Sequence, residues 1–349
     1  MLATIDAARD FVLLEMYLVE SGRIADRFID ALTQAATRGV RTMVMLDGFG
    51  SLRLRTGDRK RLVNGGVELR VFNTLGWRKR TGNLLRDHRK LLLVDGRNAY
   101  VGGAGISDHF AIRGPDTSPW REIMVEIEGP VIGDWLELFA AAWRRSGGAA
   151  APVTPRHIAP FSAGMRGRAV ASAGWNRSEL ANSVIEQMDS AQARIRIVSA
   201  YFVPSRRFRK ALRRAARRGV DVRILAPGPL TDHPVVRHAG RRFFAKLLRN
   251  GVRIFEYQPR MLHAKMVICD DWVSIGSANL DRWNFKWNLE ANQEISDRAF
   301  ADLAALRLEQ DFADSSALEP RQWAQRNRVD RLFERWAGWI DRMLERLKY

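Results

Sequence analysis

Apolar residues in the first part of the chain alternate between short unbroken runs and stripes with helical spacing. The runs at residues 11–18, 42–46 and 66–72 have the length and composition of buried strands. Between them, residues 24–37 place apolar side chains three and four positions apart, and residues 53–63 form a second, more basic helical segment. This order of strand, helix, strand, helix and strand predicts an α/β fold with a largely parallel sheet.

The same pattern returns about 180 residues downstream, a period that is typical of a duplicated domain. The matched segments are Ala31–Val40 with Ala211–Val220, Gly66-Val67 with Gly251-Val252, and Tyr17 with Tyr201. We therefore predict two halves related by a pseudo-twofold axis, each a mixed, largely parallel sheet flanked by helices, with the active site at their interface. The predicted domains are residues 1–146 and 163–316 for the halves, 147–162 for a linker, and 317–349 for a basic amphipathic C-terminal helix.

Composition limits the partners and the chemistry. Lysine and arginine exceed aspartate and glutamate, which gives a formal charge of +18 and favours nucleic acid or an anionic membrane as partner. Cys269 is the lone cysteine, so an intrachain disulfide and a cysteine-based zinc site are excluded. No apolar stretch reaches the ~18 residues that cross a bilayer, and the charged residues Asp6, Arg9 and Asp10 do not fit a signal peptide. We expect a cytoplasmic or peripheral membrane protein.

Each half contains one copy of the spacing H-x-K-x4-D. The copies are His88, Lys90 and Asp95 in the first half, and His263, Lys265 and Asp270 in the second. Side chains two positions apart share one face of a strand, so the histidine and the lysine of each copy point together. The aspartate lies seven positions from its histidine and faces the other way. Both aspartates complete the candidate catalytic set, although we expect them to brace the scaffold.

Two imidazoles and two ammonium groups facing each other form a site for a phosphodiester. The lysines supply positive charge for phosphate oxygens, a neutral histidine can attack phosphorus, and a protonated histidine can protonate the leaving oxygen. Glu122 and Glu294 lie on predicted strands after the first and second copies, and we expect each to orient a histidine. Ser277 and Asn279 are predicted donors to a phosphate oxygen. This chemistry needs no cofactor, and no compact carboxylate cluster indicates a metal.

With these motifs the chain resembles the phospholipase D superfamily, and more closely its bacterial cardiolipin synthase branch, from about residue 11 to residue 312. The segments that carry the resemblance are Tyr201–Ser205, Met261–Lys265, Gly276–Asp281 and Asn288–Glu294, with Trp120–Glu122 and Ile127–Pro130 in the first half. The resemblance implies a phosphatidyltransferase that makes cardiolipin or a related lipid through a phosphohistidine. His88 would be the nucleophile, and His263 the general acid and then the base. The alternative is a phospholipase D-type hydrolase or a metal-independent nuclease.

One position departs from the family pattern. The first motif of the family usually continues Gly-Gly-x-Asn, whereas this chain has Gly102-Gly103-Ala104-Gly105. Gly105 has no side-chain amide, unlike Asn279 at the matching position of the second half. We therefore expect one side-chain contact to phosphate to be missing from the first half.

The C-terminal segment bears on the partner. Its apolar residues follow helical spacing and are Val329, Leu332, Phe333, Trp336, Ile340, Met343, Leu344 and Leu347. Such a stripe beside tryptophan and arginine is typical of a helix at an anionic membrane surface, although a helix packed on the core of the enzyme has the same pattern. We expect an anionic phospholipid membrane, a phospholipid donor and a lipid or polyol acceptor as partners, and nucleic acid is less favoured. No obligate protein partner is indicated, and the predicted location is peripheral, on the cytoplasmic side of the membrane.

Overall fold

The repeated sequence pattern forms two sheets with matching strand order. A computed structural model describes residues 1–111, 118–149, 161–173 and 178–345. Most of the predicted linker, as well as Leu347, lies outside these residues, so the linker and the domain boundaries stay predictions.

The first half has seven strands and four α-helices among its described residues. The strands are β1 (Phe11–Met16), β2 (Arg41–Asp47), β3 (Glu68–Phe72), β4 (Arg86–Asp87), β5 (Lys90–Val94), β6 (Asn98–Gly102) and β7 (Met124–Glu128). The helices are α1 (Leu2–Asp6), α2 (Arg23–Thr37), α3 (Thr56–Asn64) and α4 (Ile132–Arg145). The sheet runs in the order β3-β2-β1-β5-β6-β7, in which β1 to β3 are parallel and β5 to β7 antiparallel.

The second half repeats this arrangement and extends it. Its strands are β8 (Arg166–Ala173), β9 (Arg194–Ser199), β10 (Asp221–Pro227), β11 (Arg253–Tyr257), β12 (Lys265–Cys269), β13 (Trp272–Gly276), β14 (Asn288–Ser296) and β15 (Ser315–Ala317). Its helices are α5 (Glu179–Ser190), α6 (Arg206–Arg217), α7 (Pro234–Arg241), α8 (Phe244–Leu248), α9 (Arg282–Trp287), α10 (Arg298–Ala313), α11 (Pro320–Gln325) and α12 (Arg328–Glu345). The order β11-β10-β9-β12-β13-β14 matches the first sheet strand for strand, which confirms the predicted two-half α/β fold.

Strand polarity decides where the two motifs lie. In the first half Met16, at the end of β1, pairs with Lys90, at the start of the antiparallel β5. In the second half Ser199, at the end of β9, pairs in the same way with Lys265. Both motifs therefore lie at the carboxyl ends of the parallel strands, the edge at which open α/β sheets bind their ligands.

The two halves share one interior. In the first half, β1 and β5 send alternate side chains to opposite faces, and the face that carries Leu13 and Leu91 packs against α4. Leu289 and Ala291 of β14, in the second half, belong to this same cluster. In addition, the indole nitrogen of Trp135 donates to Gln293 Oε1 over 2.9 Å. Because apolar side chains and a buried hydrogen bond join the halves, the distance between the two motifs is fixed by packing.

Three further segments complete the fold. Residues 76–86, between β3 and β5, contain a 3-10 segment, Trp77–Leu84, and then the start of β4, which pairs with β14 of the other half. The strand on which Glu122 was predicted to lie begins only at Met124, because the preceding backbone leaves its own sheet: Arg121 N donates to Met261 O over 2.8 Å. The C-terminal segment contains the short helix α11 before the amphipathic α12. No helix of the described part is long and apolar enough to cross a membrane.

Candidate active site

The two histidine-lysine pairs are buried at the junction of the halves. His88, Lys90, His263 and Lys265 each expose less than a tenth of their surface. The charge of Lys265 acts on His88, and that of Lys90 acts on His263, so each pair lies within electrostatic reach of the other. The structure thus brings all four predicted residues into one site.

Each histidine is held by a carboxylate from the opposite half. His88 Nδ1 lies 2.8 Å from Glu290 Oε1, and His263 Nδ1 lies 2.5 Å from Glu122 Oε2. A carboxylate that accepts the Nδ1 proton fixes the ring tautomer and leaves the Nε2 lone pair free. The prediction of one orienting glutamate per histidine holds for Glu122, but Glu122 serves the histidine of the other half.

The prediction that Glu294 orients a histidine is wrong. Glu294 Oε2 accepts a hydrogen bond from Arg168 Nε over 2.9 Å, and the carboxylate at the site is that of Glu290. Both glutamates lie on one face of β14, because side chains four positions apart share a face. Glu294 is nevertheless about 13 Å further along the strand, since each residue advances the chain by about 3.3 Å.

The surroundings of the two carboxylates differ. Ser277 Oγ donates to Glu290 Oε2 over 2.5 Å, so this hydroxyl, which we predicted to bind phosphate, holds an orienting carboxylate instead. The first half has Gly103 at the matching position. A Cβ there would lie 2.3 Å from Glu122 Oε2, so the glycine leaves room for this carboxylate. Glu122 Oε2 accepts a hydrogen bond from Lys265 Nζ over 3.3 Å, whereas Glu290 accepts one from a hydroxyl group.

The two lysines also lie differently. Lys90 Nζ donates to His88 O over 2.6 Å and lies 5.1 Å from the ring centroid of Tyr17. Lys265 Nζ donates to His263 O and lies 2.9 Å from the Nδ1 of the same histidine. A cation therefore touches the imidazole in the second half, whereas in the first half the lysine contacts the backbone and an aromatic face.

In the substrate-free site, burial of the histidines and lysines disfavours their positively charged forms. Burial lowers the pKa of Lys90 to about 7 and also lowers the pKa of Lys265. Burial and the charge of Lys265 together lower the pKa of His263 to about 4, and burial lowers the pKa of His88. Groups that have lost positive charge through burial regain it when an anion enters, so the site is suited to bind a phosphodiester.

Asp95 and Asp270 do not contact the histidine rings in the described structure. The Asp95 carboxylate accepts the backbone N–H groups of residues 9 to 11, and Asp270 accepts those of residues 192 to 194. Each aspartate sits in a turn with positive φ, 52° and 51°. These hydrogen bonds tie the end of each motif strand to the start of β1 or β9, which is a structural task.

Aromatic rings that the sequence singled out only as repeat markers or motif residues surround the imidazoles. Tyr17 contacts His88 edge to face, with ring centroids 4.5 Å apart, and Tyr201 contacts His263 at 6.4 Å. The ring centroid of Trp120 lies 5.3 Å from that of His263. The signal for the tyrosines was their equivalent position at the ends of β1 and β9, which places both at the edge that carries the motifs.

Comparisons with known proteins decide the family. The family model described as "Cardiolipin synthase, PLD-like domain" matches residues 1–143 and 184–313. The chain belongs to this cardiolipin synthase family of phospholipase D-like proteins. It is 36% identical over 345 residues to cardiolipin synthase A of Pseudomonas putida (strain W619), covering 98% of this chain and 72% of that protein. It is 33% identical over 349 residues to cardiolipin synthase A of Pseudomonas aeruginosa (strain LESB58), covering 99% and 70%.

Solved structures agree on the fold. A phosphatidylserine synthase from Haemophilus influenzae superposes with a TM-score of 0.75 over 99% of this chain and 90% of that one, at 12% identity. A polyphosphate kinase from Porphyromonas gingivalis matches with a TM-score of 0.55 over 88% of this chain and 46% of that one, at 14% identity. These two matches show the fold alone. The family model and the relatives confirm the assignment to the phospholipase D superfamily and to an enzyme of the cardiolipin synthase-like phosphatidyltransferase class.

The departure from the family pattern at Gly105 has a structural explanation. In the second half Asn279 Oδ1 accepts a hydrogen bond from Tyr201 N over 3.3 Å. The buried Nδ2 of Asn279 has no hydrogen-bond partner among the described residues. In the first half Tyr17 N donates instead to Arg89 O, and Ile106 N donates to Leu18 O over 2.9 Å, which brings Gly105 against Leu18. A Cβ at Gly105 would lie 2.8 Å from Leu18 O. Glycine is therefore required by the close approach of two backbone segments.

The residues available to a metal are few. Within residues 1–111, 118–149, 161–173 and 178–345, no group of three or more histidine, cysteine, aspartate or glutamate side chains could hold a metal ion. The carboxylates beside the two motif histidines, Glu122 and Glu290, are hydrogen-bonded to those histidines.

Proposed function

We propose that this enzyme transfers the phosphatidyl group of one phospholipid to the hydroxyl group of a second lipid or a polyol, through a covalent phosphohistidine. The observation that carries the proposal is the pair of buried imidazoles whose Nδ1 atoms are held by Glu290 and Glu122. Both rings thereby keep Nε2 for the substrate, as a reaction with one nucleophile and one acid requires. The relatives named cardiolipin synthase A support lipid as the substrate class.

The different lysine contacts favour His88 as the nucleophile. The Nδ1 of His88 is hydrogen-bonded to the Glu290 carboxylate, and Lys90 Nζ donates to the backbone carbonyl group of His88. Lys265 Nζ lies 2.9 Å from the Nδ1 of His263, and its charge lowers the pKa of that ring. An imidazolium beside a cation releases its proton more readily, which suits His263 to the acid role.

The reaction then proceeds in two displacements. His88 Nε2 attacks the phosphorus of the donor, the bond to the headgroup oxygen breaks, and that oxygen takes a proton from His263 Nε2. The acceptor hydroxyl then gives its proton to His263 Nε2 while its oxygen attacks phosphorus, and the bond to His88 breaks. Both histidines return to their starting protonation states, so atoms and charge balance over the cycle.

The remaining polar groups serve the phosphate. Lys90 and Lys265 regain full charge when the anionic substrate enters and stabilise the charge that develops on the phosphate oxygens. Asn279 Nδ2, buried and without a described partner, is the side-chain donor that the second half offers to one of these oxygens. The first half has Gly105 at the matching position and contributes no side chain there.

The direct test is a product assay on purified protein with phosphatidylglycerol in detergent micelles and EDTA. We expect cardiolipin and glycerol to form in equal amounts, and we expect no turnover by His88→Ala. Phosphatidic acid as the main product would show that the enzyme hydrolyses phosphatidylglycerol instead of transferring its phosphatidyl group. No turnover of any phospholipid by the wild type would contradict the proposal. The location on the cytoplasmic side of the membrane stays a prediction.

A further inference from the structure

The C-terminal helix α12 attaches to the enzyme by its small and polar side. Ala337 is fully buried against Val203 and Ala239. Glu334, also buried, is held by ion pairs with Arg326 and Arg241. Among the described side chains of α12, Ala337 and Glu334 therefore face the enzyme, on the small and polar side of the helix.

Those large residues form a stripe that faces outward. Six of them are between 42% and 66% exposed, and they are Val329, Leu332, Phe333, Trp336, Trp339 and Met343. The sequence left two interpretations of this stripe, a membrane surface or the core of the enzyme itself. Since the stripe is turned away from the core, the second interpretation does not account for it.

The stripe lies beside the mouth of the active site. Helix α12 packs on α7, which follows the carboxyl end of β10, and Phe333 contacts the ring of His238 with centroids 4.7 Å apart. Val203, against which Ala337 is buried, comes two residues after Tyr201, whose ring contacts His263. The helix thus sits at the same edge of the sheet as the catalytic groups.

Other exposed apolar side chains occupy this same edge. They follow the carboxyl ends of β2, β3 and β10, and they are Phe49, Leu52, Leu75, Trp77, Leu230 and Val235. Trp77 is completely exposed to solvent. Large apolar residues from both halves and from α12 therefore lie at the edge of the sheets that carries the two motifs, and soluble surfaces rarely concentrate them in this way.

Exposed basic residues accompany them. Arg78 and Arg80 follow Trp77, Arg55 follows the loop after β2, and Arg206 and Arg207 begin α6 after the end of β9. A second copy of this chain would place its own basic edge against these groups, whereas an anionic bilayer offers both an apolar interior and negative headgroups. The charge of +18 on the chain favours the bilayer in the same way.

From these positions we infer that the protein docks on anionic membranes through the carboxyl edge of its sheets, with the α12 stripe inserted between the headgroups. The orientation points the site mouth at the bilayer, so a lipid headgroup can reach the histidines while its acyl chains stay among lipids. The inference rests on the proposed function only for the identity of the substrate.

The test is sedimentation with vesicles of phosphatidylcholine that either contain or lack phosphatidylglycerol, in a His88→Ala background that prevents turnover. We expect binding to the anionic vesicles, and Trp336→Ala/Trp339→Ala should weaken it by ~10-fold or more because both rings leave the interface. The matched control is Leu303→Ala/Leu306→Ala. These leucines are also exposed, but they lie on α10 beside Asp302, which pairs with Arg194 at the opposite end of β9.

Unchanged vesicle binding by the tryptophan variant, or equal weakening by the leucine variant, would overturn the inference. So would a wild-type dimer that dissociates in the tryptophan variant without a change in vesicle binding, because a second copy would then cover the stripe. An unchanged circular dichroism spectrum and an unchanged thermal unfolding midpoint serve as the folding control for each variant. Failure of the proposed function has a different signature, namely intact vesicle binding together with no turnover of micellar phosphatidylglycerol by the wild type.

Discussion

Glu290 Oε1 lies 2.8 Å from the Nδ1 of His88, although the two residues are 202 positions apart and belong to different halves. Glu122 and His263 form the reciprocal pair across 141 positions. Neither half can therefore orient its own histidine, and the catalytic site exists only when the halves are packed together.

The crossed pairs predict the effect of removing either carboxylate. Glu290→Gln and Glu122→Gln should each lower kcat by ~10²-fold or more, because a neutral amide neither fixes the ring tautomer nor stabilises the imidazolium. Glu294→Gln, four residues further along the same strand, is the matched control and should leave kcat close to the wild-type value. Steady-state kinetics on micellar phosphatidylglycerol give kcat for each variant. A fall in kcat for Glu294→Gln equal to that for Glu290→Gln would contradict the assignment of Glu290 as the carboxylate that orients His88.

The roles of the two histidines are separable with a leaving group that needs no proton. With a nitrophenyl phosphodiester lipid as donor, His263→Ala should still release one nitrophenolate per enzyme in a rapid burst, because the acid is dispensable in that step. His88→Ala should show no burst, since the nucleophile is absent. The opposite result in stopped-flow absorbance would exchange the two assignments.

Substrate binding should take up protons near pH 7. The pKa of His263 is about 4 and that of Lys90 about 7 in the empty site, so the first is neutral and the second only partly charged. An entering phosphodiester anion stabilises the protonated forms and raises both pKa values, so the sign of the change is uptake, of roughly half a proton to one proton or more.

Titration calorimetry measures this uptake when water-soluble phosphatidylglycerol is bound in buffers of different ionisation enthalpy. His88→Ala serves as the inactive parent, and uptake should be smaller in His88→Ala/His263→Ala. Proton release on binding, or no proton change in the parent, is the result that the account does not allow.

A single methyl group at Gly103 should disturb the site. The Cβ of Gly103→Ala would lie 2.3 Å from Glu122 Oε2, which is held by His263 and cannot move without releasing the ring. We expect kcat to fall by ~10²-fold, the scale of a misplacement of about 1 Å. Gly133→Ala in α4 is the control, since a Cβ there meets nothing within 4 Å. Wild-type kcat in Gly103→Ala would show that Glu122 is not needed in its present position.

The motif aspartates should affect stability rather than chemistry. Asp270 accepts three backbone N–H groups, and Asp270→Ala should lower the free energy of unfolding by ~1–3 kcal/mol while the folded variant retains most of its kcat. Burial alone would raise the pKa of Asp270, but the backbone donors, led by Arg194 N, lower it. Because the folded pKa is lowered, this stability is present above the unfolded pKa of about 3.9 and is lost as the pH falls through the folded value.

Denaturant titrations at pH 7 and below pH 4 measure this contribution. The difference between wild type and Asp270→Ala should narrow at the lower pH. A large loss of kcat with unchanged stability would instead place Asp270 in the reaction.

The sequence was sufficient for the fold and for the histidine-lysine core because these depend on local patterns. Strand and helix periodicity, together with the duplicated H-x-K spacing, placed His88 and His263 at matching positions of two α/β halves. Glu290 could not be chosen over Glu294 in this way, because both share one strand face and only the packing of β14 against the other half decides which reaches a histidine. The family resemblance included both glutamates in the segment Asn288–Glu294 and did not distinguish them.

The same limit applies to Ser277 and to the C-terminal helix. A serine beside a phosphate site is an ordinary donor to phosphate, and only the position of Glu290 shows that its hydroxyl is used for a carboxylate. The amphipathic pattern of α12 predicted a helix, but periodicity does not say which stripe faces the protein. Ala337 and Glu334 settle that point through their burial.

The most direct test of the account is the mapping of the covalent intermediate. His263→Ala, quenched after mixing with the nitrophenyl donor, should carry one phosphatidyl group on the peptide that contains His88, because the step that removes the group needs His263 as base. Mass spectrometry of the peptides under neutral conditions would locate it. A phosphatidyl group on His88 is the predicted result, and its absence from every peptide, or its presence on another residue, would contradict the two-histidine mechanism.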